Sequence, residues 1–220
     1  MDFIENPEVL HEIEVSRHKD LISQEQLIDT KIYPDRLSFI NTLPKGISYL
    51  EVGVLGGDFA IDVIKKISAS KAVLVDPYFT EDSFERQYKV KRWSDKKFHY
   101  KFVKNRFKDM PTVELYVGTY KFFCLNRPDT FDFIYVDYHQ NKEEASYNIF
   151  QSIERLNPGG ILGFNDYCRY GSKEADGTVS ESGIIGPINY FLRNNKDWYV
   201  YAFAFNEDMM ADIYLKKYSD

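Results

Sequence analysis

The chain is poor in cysteine and lacks any long apolar run, and both absences narrow what it can be. Its two cysteines, Cys124 and Cys168, fall in different expected elements without C-x-x-C spacing, which excludes a disulfide framework and a cysteine zinc site and leaves two ordinary thiols. No stretch approaches the roughly 20 apolar residues needed to cross a bilayer. The N-terminus, Met1 to Glu14, carries acids where a secretory signal would carry bases and an apolar core, so the expected compartment is the cytoplasm, with no membrane partner. Positive charge is also in deficit. A formal net charge of −6 argues against nucleic acid as a partner, because such a binding face needs excess Lys and Arg. Internal repeats and low-complexity tracts are missing, and nothing in the chain reads as a linker that would divide it.

What is present is core-forming material: 220 residues, of which 44% are hydrophobic and 16% aromatic, enough for one domain without covalent staples. A polar stretch from Pro7 to Leu43 reads as helical, so residues 1–45 are expected to form an N-terminal helical extension and residues 46–220 a single globular unit. Oligomeric state is not fixed by the sequence; the N-terminal stretch is a candidate for a homo-oligomer contact or for a lid.

The periodicity from residue 47 onward alternates. Ile47 to Val54 is a short apolar run ending in glycines, a buried strand. Phe59, Ala60, Val63, Ile64 and Ile67 then recur at helical spacing, and Ala72 to Val75 forms a second buried strand that ends at Asp76. Further strands are expected at Val113 to Val117, Phe131 to Val136 and Gly160 to Phe164. Ala145, Ile149, Ile153 and Leu156 mark a helix face closed by Pro158-Gly159-Gly160. Ile184, Ile188, Phe191 and Leu192 mark another helix. Trp198 to Phe205 and Ala211 to Lys217 close the chain as two strands around a turn at Asn206-Glu207-Asp208. Alternating strands and helices predict an α/β, Rossmann-like doubly wound sheet, mostly parallel, with an antiparallel edge pair at its end.

In such sheets ligands sit beyond the carboxyl ends of the strands, so the residues there carry the functional reading. The first strand ends in Glu51-Val52-Gly53-Val54-Leu55-Gly56-Gly57, where glycines let the backbone turn and approach a ligand. A dinucleotide site with its pyrophosphate would want G-x-G-x-x-G, but Leu55 stands where the second glycine belongs. The second strand ends at Asp76, which is placed to accept the hydroxyls of a ribose or, alternatively, to start the turn Asp76-Pro77-Tyr78.

Five segments in order, YLEVGVLGGDFA (Tyr49 to Ala60), VLVDPY (Val73 to Tyr78), VELYVGTY (Val113 to Tyr120), FDFIYVDYHQNKEEA (Phe131 to Ala145) and LNPGGILGFNDY (Leu156 to Tyr167), resemble the class I S-adenosylmethionine-dependent methyltransferases. More narrowly they are similar to small-molecule and sugar O-methyltransferases of the macrolide and aminocoumarin tailoring type. The resemblance implies S-adenosylmethionine as cofactor, with Glu51 and Gly53 beside its methionine part, Gly57 at the helix start and Asp76 on the ribose. Adenine would lie at Gly118-Thr119-Tyr120, where an acid is usual and Thr119 and Tyr120 stand instead.

The resemblance also implies a metal reading. Asp137 ends the fourth strand and Asn165-Asp166 the fifth, which makes these three oxygen-bearing residues candidate ligands for Mg²⁺ or another divalent cation. Alternatively, Asp137 contacts cofactor or acceptor, and Asn165 and Asp166 organise the next loop. His139 is the candidate catalytic base, with Asp137 beside it; the competing role for this imidazole is a loop hydrogen bond. His11, His18 and His99 are expected at the surface. Arg169 to Ser182, flanked by Tyr167 and Tyr170, suits an acceptor loop.

The expected partner is a small-molecule acceptor, a hydroxyl of a sugar or other polar metabolite; an amine acceptor or a noncatalytic cofactor-binding role is the alternative. One charge run bears on the acceptor. Ten Lys and Arg stand against three acids between Phe84 and Met110, either as a solvated face or as a basic lid that draws in an anionic, phosphorylated or nucleotide-linked acceptor.

Overall fold

The structure is a computed structural model that describes residues 22–78, 88, 98–138, 141–167, 183–205 and 210–218. His139, Cys168, the acceptor segment expected at Arg169 to Ser182, the turn expected at Asn206-Glu207-Asp208 and residues 84–87 and 89–97 of the Lys/Arg-rich run lie outside the described residues.

The two-residue alternation of the strands sorts their side chains into two core layers. In β2 (Ser48–Val52), Tyr49 faces one layer and Leu50 and Val52 the other; in β5 (Phe131–Val136), Phe133 and Tyr135 oppose Ile134 and Val136 in the same way. The first layer is covered by α1 (Arg36–Ile40), α2 (Asp58–Ile67) and α3 (Phe98–Arg106). The second is covered by α4 (Tyr120–Asn126), α5 (Lys142–Glu154) and α6 (Ile185–Asn194). Helix α2 contributes Ala60, Val63, Ile64 and Ile67, the stripe expected from its spacing.

With β1 (Lys31–Tyr33), β3 (Lys71–Asp76), β4 (Val113–Val117), β6 (Leu156–Phe164), β7 (Trp198–Phe205) and β8 (Ala211–Lys217), these strands form one eight-stranded sheet. Its order is β1-β7-β8-β6-β5-β2-β3-β4. Chain order reverses between β2 and β5, so the crevice of a doubly wound fold opens there. Pairing is parallel throughout except at β8, which runs antiparallel to both β6 and β7. Among the described residues no helix is long and apolar enough to cross a membrane.

Three expectations change. The antiparallel pair does not form the sheet edge, because β8 inserts between β6 and β7 and β1 pairs outside β7. That edge strand lies inside the stretch expected to be helical. Tyr33 precedes Pro34, which disfavours helical backbone at the preceding residue, and helix begins only where the Asp35 carboxylate caps Ser38 N–H at 2.8 Å. Leu156 is also a strand residue rather than the end of a helix: α5 stops at Glu154, and the glycines that follow lie at an irregularity in β6 pairing.

Candidate functional site

Because the parallel strands share one direction, Val52, Asp76, Val117, Val136 and Phe164 all end at the same side of the sheet, and a cleft of about 1330 Å³ opens there. Strand β1 runs the same way, so the residues after it, Pro34 to Leu37, also border the cleft. The structure therefore brings Glu51, Gly53, Gly57, Asp76, Thr119, Tyr120 and Asp137 to one cavity.

The floor is the glycine turn. Gly53 has φ +86°, and a Cβ on it would stand 2.0 Å from the Asp137 carbonyl oxygen, so the ends of β2 and β5 approach as only glycine permits. Gly57 caps α2 at φ +80°. Leu55 adopts φ +48°, the left-handed conformation a glycine would take without strain, at a cost on the order of 1 kcal/mol. Its peptide groups are held on both sides. Asp76 Oδ2 accepts from Val54 N–H at 2.8 Å and Leu55 N–H at 3.2 Å, while His99 Nε2 donates to the Leu55 carbonyl. His99 is thus 2% exposed, not a surface residue, because the turn's carbonyl needs a donor. Arg106 donates to the next carbonyl, Gly56, at 2.8 Å and pairs with Asp58, and the Tyr88 hydroxyl, also bonded to Asp58, lies over Gly56.

Asp76 also accepts from Tyr78 N–H at 2.5 Å. Both readings of this residue therefore meet in one carboxylate. It organises the turn with three backbone donors, and of its roughly four acceptor positions about one remains for a ligand hydroxyl. Glu51 is 2% exposed and accepts from the Tyr49 hydroxyl; burial holds its carboxyl well above the usual carboxylate range. Thr119 caps α4 by accepting from Phe122 N–H at 3.2 Å, which leaves its hydroxyl proton free to donate. The Tyr120 ring packs in the second core layer with its hydroxyl 3.0 Å from Ser152 Oγ, away from the role of a hydroxyl donor to cofactor.

At the acceptor end, Asp137 and Asn165 are joined, but not as an open oxygen set. Asn165 Nδ2 donates to Asp137 Oδ1 at 2.7 Å, and Asn165 Oδ1 accepts from Arg36 Nη2 at 2.8 Å. Arg36 Nη1 stands 3.5 Å from Asp137 Oδ2, and its Nε 3.1 Å from Asp212 Oδ2. Asp166, at φ +55°, is near enough for its charge to oppose ionisation of Asp137 and Asp212. Asp137, 26% exposed toward the cleft, is pushed up to about 7, chiefly by burial against the pull of Arg36. A divalent ion does not fit this arrangement. It would need the Asn165 amide turned over, and each unit of like charge about 4 Å from the guanidinium costs on the order of 4 kcal/mol. Among the described residues no cluster of three His, Cys, Asp or Glu side chains is disposed to hold a metal ion.

No family model matches the sequence, and no curated protein sequence matches it. Solved structures do. An O-methyltransferase from Bacillus cereus in complex with S-adenosylhomocysteine superposes with a TM-score of 0.57 at 14% identity, covering 98% of this chain and 93% of that one. The O-methyltransferase TomG from Streptomyces achromogenes, involved in tomaymycin synthesis and solved with S-adenosylmethionine, gives 0.56 at 14% identity, covering 96% of each chain. Aeropyrum pernix fibrillarin with natively bound S-adenosyl-L-methionine gives 0.52 at 13% identity, over 81% of this chain and 72% of that one. The chain has the class I methyltransferase fold. Within that fold the cleft lies at the crevice where chain order reverses, on the glycine turn.

Three cleft residues, Arg36, Tyr88 and His99, were not singled out from sequence as site residues, nor was Arg106, which supports the glycine turn without lining the cleft. The first had a local signal in Pro34-Asp35, a helix start, but its target lies over a hundred positions away. Of the Lys/Arg-rich run, the described Lys101, Lys104, Arg106 and Lys108 do not border the cleft.

Proposed function

We propose that the protein transfers the methyl group of S-adenosylmethionine to a hydroxyl of a small polar acceptor, such as a sugar. The observation that carries the cofactor reading is the glycine turn at the crevice, closed by Asp76 and lacking the second glycine of a pyrophosphate site, in a fold whose solved relatives hold S-adenosylmethionine or S-adenosylhomocysteine. The sulfonium methyl is already activated, so the protein's part is to hold the acceptor oxygen in line at about 3 to 3.5 Å and to take its proton. Asp137, facing the cleft with a pKa of about 7, suits the second task; His139 is the other candidate.

The lining favours oxygen over nitrogen. Asp35, Asp58, Asp62, Asp76, Asp137, Glu143 and Glu144 border the cleft with Arg36 and Lys121, a balance that would keep an amine protonated and poorly nucleophilic. The same balance gives no support to an anionic acceptor. A bound metal is not invoked for this step.

Calorimetric titration with S-adenosylhomocysteine, and separately with NAD, tests the cofactor. Saturable binding of the first alone is expected, weakened at least about tenfold in Asp76→Ala, whose turn amides lose their acceptor as the ribose site is lost. Folded protein that binds neither ligand would end the methyltransferase reading.

A further inference from the structure

The strand-end cluster bears on metal dependence through its connectivity. Two of the three candidate ligands, the Asp137 carboxylate and the Asn165 amide, point one acceptor and one donor at each other, and the remaining oxygen of each faces Arg36. The amide orientation is the one that satisfies every partner: reversed, its oxygen would face a carboxylate and its NH₂ a guanidinium. The guanidinium is itself fixed from three directions. Its Nε stands 3.1 Å from Asp212 Oδ2 as an ion pair without hydrogen-bond geometry; Asp212 is 0% exposed on β8 and accepts from Tyr135 Oη at 2.6 Å. Its plane lies over Phe59, 5.4 Å from the ring centroid, and its backbone begins α1 directly after the Asp35 cap. A planar cation with five donors is built to link two or three carbonyl and carboxylate oxygens at once.

We infer that Arg36 is the resident cation of this site: a positioning residue that occupies the place a divalent metal would take between the ends of β5 and β6 and keeps metal out. Asp137 and Asn165 are presented to the cleft by the guanidinium, and the protein does not use Mg²⁺ or Mn²⁺. That the presented groups face a methyl acceptor rests on the proposed function; that the site excludes a divalent ion does not.

The test uses the full chain and Mn²⁺ as probe, followed by electron paramagnetic resonance and calorimetry, with and without S-adenosylhomocysteine. Wild type is expected to show no saturable Mn²⁺ binding up to about 1 mM, a range that covers weak carboxylate sites. Arg36→Gln, which removes the charge, is expected to bind one Mn²⁺ per chain, and adding Asp137→Asn to abolish that binding. Arg36→Lys, which keeps a cation there, is expected to remain closed. A merely structural arginine would lower Tm in both variants without separating them by metal binding. One Mn²⁺ per wild-type chain, lost in Asp137→Asn, overturns the inference, as does a folded Arg36→Gln that binds none. Should Arg36→Gln not fold, wild type and its Asp137→Asn variant still decide. Failure to bind S-adenosylhomocysteine would instead strike the cofactor reading and leave the metal result standing.

Discussion

Asp137 ordinarily would titrate at 3.8 and here does so at about 7, because burial penalises its charged form more than Arg36 stabilises it. Between those values the folded chain holds a proton that the unfolded chain has released. The unfolded state then binds fewer protons, so stability is greatest at low pH in this window and falls as pH rises through about 7. Asp212, pushed up to about 6 mainly by burial, acts in the same sense. The Tm of wild type relative to Asp137→Asn is therefore expected to decline between about pH 5 and pH 8. A difference that stays flat over that range would show that Asp137 is not held protonated by the fold. Two glycines make a second comparison at this scale. Gly46 and Gly53 share left-handed φ values of +76° and +86°, but a Cβ at the first meets open space and at the second meets backbone at 2.0 Å. Gly46→Ala should cost about 1 kcal/mol from conformation alone. Gly53→Ala should cost about 3 kcal/mol or more, read from urea midpoints; equal losses would mean that close approach is not what Gly53 provides.

At the scale of elements, what was legible in the sequence follows from burial. Strands β3, β4, β5, β7 and β8 were read within a residue of their ends, because short runs of Val, Ile, Leu and Phe between polar turns leave little else for the chain to do. Strand β1 was not. Its three residues, Lys31, Ile32 and Tyr33, are exposed or half-buried, and what makes them a strand is the free edge of β7, which is visible only once the sheet exists. The site divides along the same line. Glu51, Gly53, Asp76 and Asp137 were found because each ends a buried strand, whereas Arg36 and His99 reach the site from elsewhere and carry no periodic signal. What ties β1 in place is equally local to look at and non-local in effect. Gln26, 3% exposed, donates from Nε2 to the carbonyls of Leu192 at 2.7 Å and Trp198 at 2.9 Å. Gln26→Leu leaves both without that donor and should cost about 2 kcal/mol. Thermal unfolding would measure it, and an unchanged Tm would mean that β1 pairing and the bond from Thr30 Oγ1 to the Val200 carbonyl, at 2.7 Å, hold the segment without Gln26.

For the whole molecule, the doubly wound architecture was legible from the alternation of strand and helix, while the position of β8 was not, since a hairpin of two late strands says nothing of which one turns inward. The inward one does. Strand β8 is hydrogen-bonded along both sides, to β6 through Ile161–Phe164 and to β7 along nearly its full length, and it brings Asp212 to Arg36. A ribosome delivers this strand after every other strand it joins. Until it emerges, β6 and the β1–β7 pair are two separate edges with unpaired backbone, the kind of surface that recruits wrong partners or chaperones during synthesis. The nascent chain therefore cannot mature from its front end backward. Its sheet becomes continuous, and its arginine gains its buried counter-charge, in a single late event.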